Sequence, residues 1–383
     1  MHIISSQFQT CIEIALGLSL GCYLLGVGWF FRGIRIQVPQ GKEQPLVSVV
    51  VAARNEEARL GACLDCLLQQ DYPAYEVLVV DDGSQDRTAD LVRQRQREGV
   101  PLRLLVGHGA GKKAALTMGI AAARGELILT TDADCLVPRT WVSGMAACFG
   151  PQVGMVVGFS QIGHPGQTRT SLAGWEGVDF LNLMGAALGS LSQGAAWAAS
   201  GQNLAFRKEV FALVGGYHEV QHRASGDDVL LLQLVRRLGT WDIVFSTAAA
   251  TFVVHPPSVS WTTLLAQRAR WASNGPYQML LNRGFFGYMA AVFALNLLLA
   301  LSPLLVLGGG LSLGMAGLAW GGKILAEGLF FGRTARFFGR KDLRRYFPLW
   351  VLSQPFYLVA AGSLGSLGIF TWKGKRHRWG KRS

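Results

Sequence analysis

The sequence shows no pattern of paired cysteines: Cys11, Cys22, Cys63, Cys66, Cys135 and Cys148 fall singly in apolar or helical contexts. That excludes a disulfide-stapled scaffold and fits a reducing, cytoplasmic setting. The lone Cys63-Leu-Asp-Cys66 has no second pair and no histidine beside it, so helix packing is expected of it rather than metal or redox chemistry. Positive charge is missing ahead of the first apolar run, Ile14 to Phe31, and no small-residue cleavage site ends that run. An uncleaved helix is therefore expected rather than a signal peptide. Acids all but vanish after Arg333, where twelve lysines and arginines stand against Asp342 alone, so nearly all of the net charge of +12 lies there. Because these cations flank apolar segments, anionic lipid headgroups are the expected partner and nucleic acid is not.

What is abundant is apolar sequence, 50% of 383 residues, which points to membrane segments. Residues 1–36 read as a transmembrane helix whose following charges, Arg32, Arg35 and Lys42, put its C-terminal side in the cytoplasm. Residues 45–275 read as a soluble domain. Residues 283–372 carry three further apolar segments, Phe285 to Leu307, Leu311 to Phe331 and Phe347 to Phe370, and residues 373–383 form a basic tail. Lys323 and Glu327 stand i, i+4 within the second segment and are expected to pair, as structural glue or as part of an acceptor route. Four crossings are expected, giving a multi-pass protein of the cell membrane with its domain cytoplasmic. That count places the basic tail outside, against the positive-inside tendency, unless the last segment, with Pro355, Gly362, Gly365 and Gly368, is re-entrant or interfacial.

Within the domain, strands and helices alternate. Strands are expected at Val47–Ala52, Tyr75–Val80, Leu102–Val106 and Leu127–Thr131, and helices at Glu56–Gln70, Thr88–Glu98 and Lys113–Arg124. This predicts an α/β fold, a mostly parallel, Rossmann-like sheet covered on both faces, with ligands beyond the carboxyl ends of the strands. Polar residues, most of them acids, follow those ends: Asn55 and Glu56 after the first strand, Asp81, Asp82 and Asp86 at the second, Asp132 and Asp134 at the fourth. A single one of these is an ordinary helix cap. Acids on three neighbouring strands make a pocket that needs a cation, and Asp132 with Asp134, two apart in extended chain, suits one hard ion, Mg²⁺ or Mn²⁺, which binds through a few carboxylates together with substrate phosphates. A nucleotide diphosphate is the natural ligand. The turn Gly109-Ala-Gly-Lys112-Lys113 adds flexible backbone and cationic heads but is not a P-loop.

Val47-Ser-Val-Val-Val-Ala-Ala-Arg-Asn-Glu-Glu, Val79-Val-Asp-Asp-Gly-Ser, Gly111-Lys112 with Ala115-Leu116, and Thr131-Asp-Ala-Asp134 resemble, in order and spacing, the inverting family 2 glycosyltransferases of GT-A fold, over about residues 47–275. The resemblance implies that Asn55, Glu56, Asp81 and Asp82 line the pocket for base and ribose, that Lys112 lies beside it, and that Asp132 and Asp134 hold the metal on the donor diphosphate. Ser200-Gly-Gln202-Asn203 is similar to the family's acceptor-side segment, and Asp227-Asp228 occupies the place of its Glu-Asp pair, with Asp227 standing where the family carries Glu. Asp228, heading an apolar helix to Leu238, is then the catalytic base, its other reading being an N-cap. Gln267-Arg268-Ala-Arg270-Trp271 is similar to the QxxRW element of the membrane-bound members. It implies Gln267 and Arg270 on the diphosphate and Trp271 under the acceptor, on a helix from Trp261 to Trp271 at the bilayer face; the other reading is an interfacial anchor. The expected activity is metal-dependent transfer of a sugar from a nucleotide donor, UDP-linked, to a lipid or lipid-linked hydroxyl. A processive polysaccharide synthase and a non-catalytic sugar-nucleotide binder are the alternatives.

Overall fold

Runs of β-branched residues flanked by turn formers become buried strands, and apolar stretches of twenty residues or more become long helices. In the computed structural model, which describes residues 2–38, 41, 43–96, 100–223, 225–372 and 375–377, the chain opens with α1 (His2–Gly33). It continues through β1 (Val47–Ala53), α2 (Leu60–Leu67), β2 (Tyr75–Asp81), α3 (Thr88–Gln96), β3 (Leu102–Val106), α4 (Lys112–Ala122) and β4 (Leu127–Thr130). Next come α5 (Trp141–Ala146), β5 (Val153–Gly158), β6 (Ser160–Ile162), α6 (Ser171–Leu191), β7 (Leu204–Arg207), α7 (Lys208–Leu213), α8 (Val229–Leu238), β8 (Asp242–Ser246) and β9 (Val253–His255). The remainder holds α9 (Trp261–Ala272), α10 (Gly275–Leu281), α11 (Arg283–Leu307), α12 (Leu313–Phe337) and α13 (Phe347–Ser366). A hairpin of β10 (Phe370–Trp372) and β11 (Lys375–His377) follows, and the rest of the basic tail, with Lys373, Arg378, Lys381 and Arg382, lies outside the described residues.

The chain divides into a sheet unit, Arg35–His164 with Ser190–Pro256, and a helical unit, Met1–Ile34 with Pro165–Gly189 and Pro257–Ser383. Most of α6 and all of α9, which the sequence places in the 45–275 domain, thus fall in the helical unit.

The sheet unit is built on a seven-stranded sheet in the order β3-β2-β1-β4-β7-β5-β8. β1, β2, β3 and β4 run parallel, with Ala53 opposite Asp81 and Val50 opposite Thr130, so their carboxyl ends share one edge. β1 and β2 are buried along almost their whole length, as strands covered on both faces must be. The α/β, mostly parallel architecture is the one expected, and its departure is β7, antiparallel to both β4 and β5; a four-residue apolar strand carries no signal of its direction. Helix α2 starts at Leu60 rather than Glu56. The backbone N–H groups of Glu56 and Glu57 are instead taken by Thr88 Oγ1 at 2.8 Å and Asp86 Oδ2 at 3.1 Å, which ties this turn to the loop after β2. Cys63, on the buried face of α2, packs into the core.

In the helical unit α1 packs against α11 and α12 in opposite senses. Tyr288, early in α11, meets Phe30 edge-on at 5.5 Å. At the far end Glu13 accepts the Ser312 N–H at 3.0 Å, and α12 returns until Arg333 donates to the Ile34 carbonyl at 2.8 Å. Lys323 and Glu327 pair at 2.6 Å, and the Tyr23 hydroxyl of α1 donates to Glu327 at 2.5 Å, so each buried charge has a partner. Helix α13 follows α6 and α9. Trp350 Nε1 donates to Asp179 at 3.3 Å, Ser353 accepts from Trp175 Nε1 at 2.7 Å, and Tyr357 meets Trp175 edge-on at 4.5 Å. A Cβ on Gly365 would fall 2.4 Å from the Ala269 carbonyl oxygen, so α13 touches α9 backbone to backbone. Among the described residues, three stretches are long and apolar enough to cross a membrane: Gln7–Gly33, Arg283–Leu307 and Lys341–Ser366. The similarly long α12 carries Lys323, Glu327, Arg333 and Arg336.

Asn203 proves to be a core residue, which corrects its expected place on the acceptor side. It is fully buried, accepts from Trp141 Nε1 at 2.9 Å, and donates to the carbonyls of Phe159 at 2.8 Å and Thr251 at 2.7 Å. With both amide hydrogens and the oxygen engaged, it stitches the segments around α5, β6 and β9 and has nothing left for a substrate. Asn203→Leu removes the partner of Trp141 Nε1 and of the Thr251 carbonyl, while the Phe159 carbonyl keeps the Val253 N–H at 3.0 Å, and is expected to cost on the order of 2–5 kcal/mol. The check is the thermal unfolding midpoint in detergent; an unchanged midpoint with a raised acceptor KM would return Asn203 to the acceptor side.

Candidate active site

Parallel strands bring their last residues to one edge, and that edge gathers the acids. At the end of β1, Asn55 adopts a positive φ of 55° and its side-chain oxygen accepts the Gln85 N–H at 2.8 Å. Glu56 follows in the same turn. At the end of β2, Asp81 accepts from the Ser84 N–H at 3.3 Å, and Asp82 accepts from the Gly111 N–H at 2.9 Å with Arg54 at 3.9 Å. Asp86 accepts from Thr88 N–H at 3.0 Å and opens α3, so it is a cap.

Past β4 the chain does not stay extended as expected but turns at Ala133-Asp134, the Cys135 N–H donating to the Asp132 carbonyl at 3.1 Å; Ala133 and Cys135 are buried while Asp132 and Asp134 are half-buried. Lys112, first residue of α4, reaches across. Its Nζ lies 2.7 Å from Asp132 Oδ1 and 2.6 Å from Asp227 Oδ2, joining the strand edge to the segment that precedes α8. Burial alone would lower the Lys112 pKa, but the two carboxylates outweigh it and hold the ammonium charged. Gly201 completes this corner: a Cβ there would sit 2.9 Å from Asp227 Oδ2 and 3.5 Å from Lys112 Nζ, so its backbone approaches only as glycine.

Asp228 is the N-cap of α8, and its two oxygens accept from Val229 N–H at 2.6 Å and Gly201 N–H at 3.0 Å. Those donors and Lys112 favour the anion, yet burial first and the neighbouring Asp227 second push its pKa above the usual carboxylate range. Asp228 thus caps the helix, and its basicity is raised. Gln202, next to Gly201 in sequence, is buried, its carbonyl accepting from Thr131 at 2.8 Å and its side-chain oxygen without a protein partner among the described residues.

Donor atoms of Asp132, Asp134 and Cys135 lie within 4.8 Å of one another. Burial, with Asp132 and Asp134 adding to it, pushes the Cys135 thiol up, so it stays protonated and is a poor ligand. The remaining oxygens suit a hard divalent ion. Two residues that sequence reasoning missed stand at Asp134: His255 Nε2 and Arg59 Nη1, each 3.4 Å from Oδ2. Burial would raise the Asp134 pKa, but the His255 hydrogen bond and the Arg59 charge hold it low. His255 ends the three-residue strand β9, where no motif marks it, and the bridge of its neighbour Val254 to Leu136, two residues past Asp134, brings it there.

Gln267, Arg270 and Trp271 lie on α9 of the helical unit, whose N-cap Ser260 accepts from Thr263 N–H at 3.1 Å. Gln267 Oε1 accepts from Arg268 Nη1 at 2.7 Å, and the Trp271 ring lies 4.2 Å below the Arg268 guanidinium.

Comparison with known proteins agrees with this geometry. The chain is 28% identical over 253 residues to the "Probable glycosyltransferase YdaM" of Bacillus subtilis, covering 62% of this chain and 57% of that protein. It is 28% identical over 293 residues to the "Beta-monoglucosyldiacylglycerol synthase" of Trichormus variabilis, covering 74% and 59%. The chain thus spans less than two thirds of the length of these relatives. Among solved structures, the mannosyltransferase PcManGT from Pyrobaculum calidifontis, in complex with GDP-Man and Mn²⁺, superposes with a TM-score of 0.61 at 22% identity, over 93% of this chain and 98% of that one, which establishes the shared GT-A fold. Residues 48–213, which carry β1 to β7 and the acidic edge between them, match the model of Glycosyl transferase family 2.

Proposed function

We propose that the chain is a membrane-embedded, inverting glycosyltransferase that moves one sugar from a nucleotide donor, UDP-linked, to a hydroxyl of a lipid or lipid-linked acceptor. The observation that carries this reading is the corner where Lys112 joins Asp132 to Asp227, with Asp228 beside it at the head of α8. A metal-binding edge and a basic carboxylate stand there on one frame. Lipid as acceptor class is supported by the apolar helices and by the relative named for monoglucosyldiacylglycerol.

In this reading Asn55, Glu56, Asp81 and Asp82 hold base and ribose, and Asp132 and Asp134, with His255 as a third ligand, hold Mg²⁺ or Mn²⁺. The ion, when bound, supplies Lewis-acid stabilisation of the leaving diphosphate. Gln267 and Arg270 take the diphosphate, the planar guanidinium matching two phosphate oxygens at once. Gln202, Asp227 and Trp271 serve the acceptor side. Asp228 takes the proton of the acceptor hydroxyl as its oxygen attacks the anomeric carbon. The bond to the diphosphate breaks with its electron pair, leaving a nucleoside diphosphate and an inverted glycoside.

For the membrane arrangement we read three crossings, α1, α11 and α12, rather than four. The paired Lys323 and Glu327 reduce the cost of α12 crossing, and α12 ends where Arg333 meets the cytoplasmic end of α1. Helix α13, bound from Trp350 to Gly365 to α6 and α9, lies in the interface and leaves the basic tail inside.

Purified chain with lipid, Mn²⁺ and UDP-sugars is expected to yield a lipid carrying one sugar, read by mass spectrometry; a long polymer or no turnover overturns the reading. Because the Asp228 pKa is raised, the base is competent above that pKa, and kcat/KM falls as pH drops through it, above the ordinary value of about 3.9. Asp228→Asn should remove this acid limb and lower transfer by roughly 10²–10⁴-fold while donor binding persists. His255→Ala is expected to weaken Mn²⁺ affinity by about 10–100-fold, read as free Mn²⁺ by electron paramagnetic resonance without turnover, whereas Cys135→Ser leaves it in place. Equal affinity in His255→Ala would remove His255 from the metal site. Alkaline phosphatase fused after Ser383 should be inactive in cells, since three crossings keep it inside, and an active fusion would restore the fourth.

A further inference from the structure

Two arginines stand two apart on α9, and one of them, Arg268, has no part in the reaction proposed above. Its side chain is 6% exposed and is engaged on three sides at once. Nε donates to Asp179 Oδ2 of α6 at 3.1 Å, and Nη1 donates to Gln267 Oε1 at 2.7 Å. The face of the guanidinium lies 4.2 Å from the Trp271 ring, at the distance of a strong cation–π contact. Asp179 is itself fixed, its other oxygen accepting from Trp350 Nε1 of α13 at 3.3 Å. Phe180, next to Asp179, closes on Trp271 at 6.2 Å.

We propose that Arg268 is a positioning residue: anchored by Asp179, its guanidinium sets the orientation of Gln267 and Trp271 together. The inference rests on the assignment of those two residues to diphosphate and acceptor. A burial role alone does not account for the choice of arginine. An ion pair with Asp179 needs only a cation, and lysine would supply it. A planar group is required to donate in-plane to a carboxylate and to a carboxamide while presenting its flat face to an indole. Gln267 and Trp271 stand one residue before and three after Arg268, on one side of the helix, so one guanidinium reaches both. The same guanidinium fixes the χ angles of two side chains that rotate freely on an isolated helix. Asp179 and Trp350 carry this constraint into α6 and α13, so the orientation of Trp271 is set by three helices and not by α9 alone.

The test uses the full-length protein in lipid and follows transfer to acceptor against acceptor-independent release of sugar to water, per nucleotide-binding equivalent. Normalising to bound nucleotide removes any loss of folded enzyme. Arg268→Lys keeps the charge opposite Asp179 but loses the plane, and is expected to lower the transfer-to-hydrolysis ratio by about 10–100-fold, the scale of a misplacement of about 1 Å, and to weaken donor affinity through the released Gln267. Trp271→Phe should lower the ratio by itself, and the double variant should be little worse than Trp271→Phe alone, since Arg268 acts through Trp271. If Arg268→Lys does not fold, Asp179→Asn, which keeps an acceptor for Trp350 but weakens the anchor, should shift the ratio in the same direction. A wild-type ratio in Arg268→Lys, or effects of the two substitutions that multiply in full, overturns the positioning role while leaving Trp271 at the acceptor. A wild-type ratio in Trp271→Phe overturns the assignment of Trp271, and this inference with it.

Discussion

The sheet unit depends on a cation held between acids from distant parts of the chain. Lys112 lies 2.7 Å from Asp132, at the end of a strand, and 2.6 Å from Asp227, at the start of a helix almost a hundred residues later. Removed from water together, those carboxylates would repel; with the ammonium between them they define one corner. The neighbouring Lys113 Nζ donates to the carbonyls of Arg223 and Ser225, both at 2.7 Å, so the first turn of α4 ties down the loop before Asp227 twice over. The position of Asp228 follows from this tether. Its oxygens take the N–H groups of Val229, at the head of α8, and of Gly201.

The acidic edge was legible in the sequence because parallel strands share one direction, so the residues just past their carboxyl ends all land on the same side of the sheet. Asp81, Asp82, Asp132 and Asp134 could be placed together from periodicity alone, and the structure puts them there. Residues whose role depends on pairing between distant short strands could not. His255 sits on a strand of three residues, and its approach to Asp134 arises from the antiparallel bridge between its neighbour Val254 and Leu136, two residues past Asp134. Asn203 failed in the opposite way. A polar residue inside an apparent acceptor motif invites a functional reading, and sequence cannot reveal that three buried groups consume it. Helix α6 also escaped notice, since its run of apolar and small residues, with Glu176 and Asp179 inside, fits neither a strand nor an ordinary amphipathic helix.

The helical unit shows why those internal acids matter. Glu176 accepts the N–H and hydroxyl of Ser258 at 2.7 and 2.9 Å, just ahead of α9, and Asp179 takes Arg268 within α9. A long apolar helix thereby holds a short polar one at two points a turn apart. The pair Lys323–Glu327 with Tyr23 works in the same way between α12 and α1, where i, i+4 spacing alone foretold the ion pair but not the tyrosine that completes it. In both places an acid buried in apolar helices gains its partner from a different helix, so register is fixed by an interaction that any slip would break.

Helical geometry explains why two identical residues in one short element take different work. Successive residues turn by about 100°, so Arg268 and Arg270 point about 200° apart, and only one of them can face Asp179. That one is Arg268, 6% exposed and paired within the helical unit. Neither residue's chemistry distinguishes them, and neither does the five-residue motif, because both are arginines on an amphipathic helix. The choice is made by α6, whose Asp179 lies on the face turned to α9 and commits Arg268, not Arg270, to the ion pair between the two helices. A motif therefore names the residue types that a reaction needs, while a neighbouring helix decides which copy of a repeated type is taken up by packing.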